Sequence, residues 1–300
     1  MFHLRTFVYP KNSNLFLGRI GLFIERQGDG LGEATASKVY FSKKCSREKF
    51  VDKVLKIFSS SLERSKKIFV KPNIVSYEKY PTTTHPEVLG AILNRLQSRE
   101  ILVGDAPAID AGRSNKILEK SPLRAVCDSY NLRLMNLYSE EMTTITSPRG
   151  FKLRVSAVPL TCDFVVSIPV LKVHGMVGVS GALKNQFGYL NKRERLTMHC
   201  GLKSLNKGIA EVNAAVPTDL FIVDGLRTMI KAQECRHGGC PADLDMMIAG
   251  TDPVSIDFFG LQLFEKIEPK FANIKREALG YIELASFYGL GSKIFECIEI

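Results

Sequence analysis

Short apolar runs that each stop at a polar or turn-forming cluster constrain this chain more than any other feature. Ile68-Phe-Val70 leads into Lys71-Pro-Asn73, and Ile101-Leu-Val103 leads into Gly104-Asp105-Ala-Pro107. Leu220-Phe-Ile-Val223 leads into Asp224-Gly225, and Met246-Met-Ile-Ala249 into Gly250-Thr-Asp252-Pro253. Runs this short and this apolar read as buried strands. Between the first two lies a helical pattern, with Val88, Ile92, Leu93 and Leu96 on one face. Thr84 is placed to cap that helix, with Pro86 near its first position and Glu87 closing a capping box. Strand, loop, helix and strand in this order predict a parallel βαβ unit. The expected fold is α/β, a mainly parallel sheet with helices on both faces. In such a sheet the four clusters would gather along one edge, where ligands bind.

The remaining pattern agrees. Phe50, Val54, Ile57, Phe58 and Leu62 have helical spacing, interrupted at Ser59-Ser-Ser61. Further helices are expected at 123–130, 204–216, 254–264 and 271–281, and strands at 132–137 and 164–168. A hairpin is expected around Ser147-Pro-Arg-Gly150. Nearer the start, short strands are expected at 15–24 and 39–41, with a turn at 28–32. With 300 residues and 45% apolar content, one α/β domain over 1–300 can build a sizeable core. A division into two lobes would fall at 137–143.

Composition narrows the function classes. No apolar run is long enough to span a membrane, and no signal-peptide pattern opens the chain, so a cytoplasmic protein is expected. The seven cysteines are scattered without a C-x-x-C, so no iron–sulfur cluster or zinc ribbon is expected from their spacing. Cys235-Arg-His-Gly-Gly-Cys240 is the one local group with metal-binding residue types, and a glycine turn with incidental thiols is the preferred reading because four ligands are not in sight. The formal charge of +10 suits an anionic partner. Because the basic residues are dispersed and no nucleic-acid motif accompanies them, a small anionic substrate is expected rather than nucleic acid. A homo-oligomer is compatible with this composition.

The richest stretch runs from Pro169 to Asn185. Gly175, Gly178 and Gly181 follow the strand 164–168, with Lys172, His174, Ser180, Lys184 and Asn185 around them. Glycines allow sharp turns and close approach, and a turn after a strand can aim N–H groups at an anion. A structural turn needs the glycines but not this polar set. It is not a P-loop, because Leu183 and Asn185 flank Lys184. The expected site gathers His85, His174 and Lys184 as catalytic groups. Lys71, Asn73, Asp105, Lys172, Gly175, Gly178, Ser180, Gly181 and Asn185 would hold substrate or an anion. His85 enters because it starts a helix beside a strand end. For each histidine a hydrogen-bonded structural role is the competing explanation, and for Asp105 a turn or cap; His3 and His237 are read as structural. After Lys184, Phe187, Leu190 and Leu196 are expected to anchor a lid. Lys192, Arg193, Glu194 and Arg195 would face solvent or a charged ligand.

These motifs resemble the DUF362 family. The resemblance rests on Lys71-Pro-Asn73, Thr83-Thr-His-Pro-Glu87, Gly104-Asp105-Ala-Pro107, the run from Ser167 to Gly188, Asp224-Gly225 and Thr251-Asp-Pro253. It spans roughly 67–262, and its core is the run from Lys172 to Asn185. Many relatives carry a segment of clustered cysteines that this chain lacks. A more distant similarity is to nickel-pincer lactate racemases, in the order His174, glycine turn, Lys184, His199. That resemblance implies proton transfer by His85 and His174, with Lys184 and His199 facing a cofactor or a divalent transition metal. The expected function is proton or hydride transfer on a small anionic substrate, in the manner of a racemase or isomerase and with metal dependence. Two alternatives stand beside it: a redox or iron–sulfur-associated protein, and a nonenzymatic module binding nucleotide or nucleic acid.

Overall fold

The apolar runs pair into one eight-stranded sheet in a computed structural model that describes residues 36–300. In chain order its strands are β1 (Ser37–Lys43), β2 (Lys67–Pro72), β3 (Glu100–Asp105), β4 (Leu134–Asn136), β7 (Phe164–Ile168), β10 (Leu220–Ile230), β11 (Cys240–Gly250) and β12 (Phe295–Glu299). Two small hairpins stand apart: β5 (Met142–Thr146) with β6 (Lys152–Ser156), and β8 (Lys172–His174) with β9 (Gly178–Ser180). The order across the sheet is β12-β1-β11-β10-β7-β2-β3-β4. Every neighbouring pair is parallel except the two made by β11. The fold is therefore α/β with a mainly parallel sheet. The strands expected at 15–24 and the turn at 28–32 lie outside the described residues.

Alternation along the strands sends side chains to both faces. Ile68, Val70, Ile101, Val103, Val166 and Ile222 join the buried faces of helices Arg47–Ile57 and Pro86–Leu96 in one cluster. On the other face the Phe69 ring meets Tyr189 at 6.3 Å and Phe41 meets Phe259 at 5.6 Å, under helices that follow β9 and β11. The described residues form one compact unit.

Three expectations are corrected. First, β11 runs antiparallel, with Gly250 paired to Phe221 at the start of β10. Thr251-Asp252-Pro253 therefore lies on the edge opposite the other three clusters. There Asp252 caps helix Pro253–Leu263 and accepts from Ser37 and Ser292. The apolar run 246–249 could not show its direction, which is set by the return of the chain from β10 through residues 231–239. Second, His85, not Thr84, caps helix Pro86–Leu96. Thr84 is buried, and its hydroxyl accepts from the Asn73 N–H and donates to the Ile168 carbonyl, joining the ends of β2 and β7. Third, the helix expected over 47–62 breaks at Phe58 into Arg47–Ile57 and Ser59–Glu63.

Candidate active site

β2, β3 and β7 end side by side, and Lys71 near the end of β2 and Asp105 at the end of β3 line a cavity of about 340 Å³. Lys71 near the end of β2 donates to Asp105 Oδ1 at the end of β3, at 2.6 Å. The other Asp105 oxygen accepts the Ile74 N–H at 2.6 Å. Asn185 Oδ1 accepts from Lys71 at 3.4 Å, while Asn185 Nδ2 donates to Ser167 Oγ in β7 at 2.9 Å. Lys71 and Asp105 are essentially buried, so each charge is neutralised by a partner rather than by water. Burial draws the Lys71 amine below the usual lysine range, against the pull of Asp105. Gly188 covers this pair so closely that a Cβ there would meet Asp105 Oδ1 at 2.6 Å and Lys71 Nζ at 2.7 Å.

The glycine stretch forms the β8–β9 hairpin and then the short helix Ala182–Asn185. Lys172 opens β8, and its amine donates to the Thr82 carbonyl. The backbone anion cradle expected over Gly175 to Gly181 does not form. The Gly175 N–H donates to Gln233 Oε1, and the Met176 N–H to His174 Nδ1. The Ala182 and Leu183 N–H groups donate to the Asp257 carboxylate at 2.6 and 3.0 Å. A side chain from a distant helix thus takes the N–H groups that directly follow the glycine stretch. Burial pushes the Asp257 carboxyl up to about 7. Gly178, at φ +74°, packs on helix Phe271–Phe287 instead of lining the cavity, and Gly181 packs on Asp257.

The chain then returns over the cavity in helix Lys192–His199, started by Asn191, whose Oδ1 accepts the Glu194 N–H at 2.8 Å. Arg195 and His199, one turn apart, both line the cavity. Leu196 does not anchor the segment, being 53% exposed, whereas Arg195 is buried. Leu196 thus departs from its expected anchoring role, and Arg195 turns to the cavity rather than to solvent. His199 Nδ1 lies 2.7 Å from the Arg195 carbonyl, which fixes the proton on Nδ1 and leaves the Nε2 lone pair free. His174 is the mirror case, since its Nδ1 accepts from Met176 and the proton falls on Nε2.

The cavity holds more positive charge than its acids offset. Among the described residues the Lys184 amine makes no hydrogen bond or ion pair, and it lies 4.3 Å from the Phe187 ring centre. Burial first, then the charges of Arg195, Lys172 and Lys71, bring the Lys184 amine down to about 7. Burial brings Lys172 to about 8 against the attraction of Glu234, Glu78 and Asp105. Burial and the nearby Lys184 and His199 hold His174 well below the usual imidazole range. Burial and Lys184 lower His199, against the hydrogen bond from its ring to the Arg195 carbonyl.

Of the expected site residues, Lys71, Asn73, Asp105, Lys172, His174, Gly175, Ser180, Lys184, Asn185 and His199 line this cavity. His85 does not. Its Nδ1 accepts the Glu87 N–H at 3.2 Å, and its ring sits edge-on to Tyr80 at 5.0 Å, near Arg47. It is a helix cap, so the two-histidine pairing of His85 with His174 is not assembled. The sequence reading missed the opposite wall, made by Asp110, Gln233, Glu234 and His237. Residues 231–239 connect β10 to β11 and fold across the cavity, held by Arg236 on Glu234 and Asp110 and by Glu78 on the Cys235 and Arg236 N–H groups. The Gly238-Gly239 turn was visible as a turn, but not where it would fold. Cys235 and Cys240 are free thiols, and among the described residues no three His, Cys, Asp or Glu side chains converge as metal ligands. His237 Nδ1 is engaged by the Gln233 side chain. Among the cavity imidazoles, His199 alone thus offers a free lone pair.

No helix among the described residues is long and apolar enough to cross a membrane. In fold, the chain is similar to the lactate racemase apoprotein of Thermoanaerobacterium thermosaccharolyticum, with TM-score 0.53 and 16% identity. The match covers 80% of this chain and 59% of that one. A Thermotoga maritima structure matches more loosely, with TM-score 0.42 and 14% identity over 82% of this chain and 60% of that one. In sequence, a thylakoid-associated protein of Synechocystis is 24% identical over 200 residues, 64% of this chain and 61% of the relative. The chain thus spans about three fifths of the length of these relatives. The model of a domain of unknown function, DUF362, matches residues 68–262, about two thirds of the sequence, and the chain belongs to that family.

Proposed function

We propose that the cavity is the active site of an enzyme that moves a proton on a small anionic substrate, in the manner of a racemase or isomerase. One observation carries this reading: Lys184, an amine held at about 7 with no hydrogen-bond or ion-pair partner among the described residues, shares a cavity with two imidazoles in opposite tautomers. Groups that change protonation near neutral pH are suited to general acid and base work. His199 Nε2 can accept a proton, the Lys184 ammonium can return one near neutral pH, and the neutral His174 Nε2–H can hydrogen-bond a substrate oxygen. Lys184 and Lys172 would hold the negative charge that develops on substrate oxygen. The fold likeness to the lactate racemase apoprotein supports the same class of reaction, although the proton carriers proposed here are His199 and Lys184 rather than His85.

Metal dependence belongs to this proposal in a restricted form. Among the described residues the cavity has one imidazole with a free lone pair, at His199, so this donor set does not fit a metal held by its side chains alone. It fits a metal delivered with its other ligands on a separate group, for which Lys184 is the free amine. Such a group would stabilise negative charge or accept a hydride. The test is exchange of the α-hydrogen of small 2-hydroxy and 2-amino acids with solvent deuterium, followed by NMR alongside metal analysis of the same protein. Exchange that is lost in His199→Ala and Lys184→Met, both still folded, is the expected result. Absence of exchange across the panel in metal-replete protein would overturn the reading.

A further inference from the structure

The β8–β9 hairpin turns one face to the cavity. Lys172 pairs directly with Ser180 and His174 with Gly178, so the side chains of Lys172, His174 and Ser180 share one side of the hairpin. All three residues line the cavity. The Lys172 amine is spent on the Thr82 carbonyl. Ser180 is only 7% exposed, and its hydroxyl makes no hydrogen bond among the described residues. A hydroxyl buried this deeply is ordinarily paired, because an unmet polar group costs stability. Arg195 Nε and Asn73 Oδ1 are unpaired too, but they are sealed from solvent; the Ser180 hydroxyl and the His174 Nε2–H stay open to a molecule the size of water. Lys184 and His199 form a second group in the lining, both against the Phe187 ring, at 4.3 and 5.4 Å from its centre. Their charges reach His174, so the two groups stand close together.

We infer that the Ser180 hydroxyl and the His174 Nε2–H together seat the carboxylate of the substrate, which turns its α-carbon toward Lys184 and His199; this rests on the enzymatic reading of the same cavity. His174 and Ser180 are diagonal neighbours across the hairpin, about 7–8 Å apart at their backbones. A short hydroxymethyl arm and an imidazole at that spacing leave room for one planar carboxylate, with one oxygen to each donor. Both donors are neutral, and Lys184 supplies the opposite charge. A phosphate group fits less well. Phosphate sites draw on runs of free backbone N–H groups, and here those of Gly175, Met176, Ala182 and Leu183 are already used. Glu234 and Asp110 in the wall further disfavour a dianion. The hairpin is pinned to helix Phe271–Phe287 by the packing of Gly178 and by the Tyr281 hydroxyl on the Val179 carbonyl at 3.0 Å. The seat is therefore in place before the ligand arrives, and little ordering remains to be done on binding.

The experiment is a titration of the whole protein, labelled with ¹⁵N-histidine, at pH 7, with lactate and inorganic phosphate as probes. The ring nitrogens of His174 report its tautomer and its hydrogen bonding, and they are assigned through bonds, so no variant is needed to read them. Lactate is expected to move the Nε2 signal saturably toward that of a hydrogen-bonded N–H, and phosphate at equal concentration to leave it in place. Ser180→Ala should weaken lactate binding about tenfold in calorimetry, the loss of one hydrogen bond to a charged group. In the α-hydrogen exchange assay the same variant should raise KM by a similar factor and leave kcat nearly level, as for a contact made equally in ground and transition states. Lactate binding with the His174 signal unmoved, or undiminished in folded Ser180→Ala, would overturn the seat and leave the proton-transfer reading standing. A signal moved more readily by phosphate, or by neither anion, would also overturn it. A moved signal without α-hydrogen exchange would keep the carboxylate seat and remove the reaction assigned to it.

Discussion

At the scale of single residues, Lys184 has the clearest consequences. Its amine falls from 10.5 in the unfolded chain to about 7 in the fold, so between these values the unfolded state binds more protons. Stability therefore rises with pH through that window, and the cost of burying the charge is felt in full below pH 7. Lys184→Met should stabilise the protein at pH 6.5 by about 2 kcal/mol, less than the whole shift implies because the open cavity admits solvent screening. The gain should fade toward pH 10, as followed by urea unfolding at both pH values. A bound anion would return the amine toward its charged form. Calorimetry in buffers of different ionisation enthalpy at pH 8 should then show proton uptake on lactate binding, and none in Lys184→Met. Residue identities here were legible early, because lysine and histidine beside glycines stand out in any sequence. Their protonation was not, since it depends on Arg195 and on burial.

Elements decide which of those residues meet. β2 and β3 are neighbours, and Asp105 ties Lys71 to the Ile74 N–H across their ends. Asp105→Asn would leave a buried ammonium without its counter-charge and should cost about 3–5 kcal/mol in chemical denaturation. The β8–β9 hairpin is fixed differently. Gly178 has φ +74°, and a Cβ would stand 2.2 Å from the Ile274 carbonyl and 2.5 Å from the Ala278 N–H. Gly178→Ala must push the hairpin off helix Phe271–Phe287, with an expected loss of about 2–4 kcal/mol. Because Lys172 and His174 ride on this hairpin, that variant should lose ligand binding along with its melting temperature. The sequence showed that these glycines mattered. It showed an anion as their reason, whereas helix packing and Asp257 are the reason in the fold.

Over the whole molecule, the charge of +10 and the cationic cavity act in the same direction. Anionic substrates should be drawn toward the open edge of the sheet, and salt should screen that attraction. Raising ionic strength from about 0.01 M to about 0.15 M shortens the screening length from about 30 Å to about 8 Å. The kcat/KM for an anionic substrate should fall severalfold over that range, while kcat stays level. A salt-independent kcat/KM would show that the surface charge serves some other purpose.

The local pattern of the sequence determined the strands, the α/β class and the polar residues at the ends of β2 and β3, because apolar periodicity and turn residues act over a few positions. Whether a group faces a cavity, another helix or water depends on which distant segment packs against it, and only the tertiary structure decided that. His85 was drawn into a helix cap beside Tyr80 and Arg47, and Arg195 was turned inward by carbonyls ninety residues earlier in the chain. The direction of β11, set by its pairing with β10, sent Asp252 to the far edge. It also brought His237 and Glu234 across the site. Periodicity carries no sign for strand direction and no record of long-range partners, so these placements follow from packing alone.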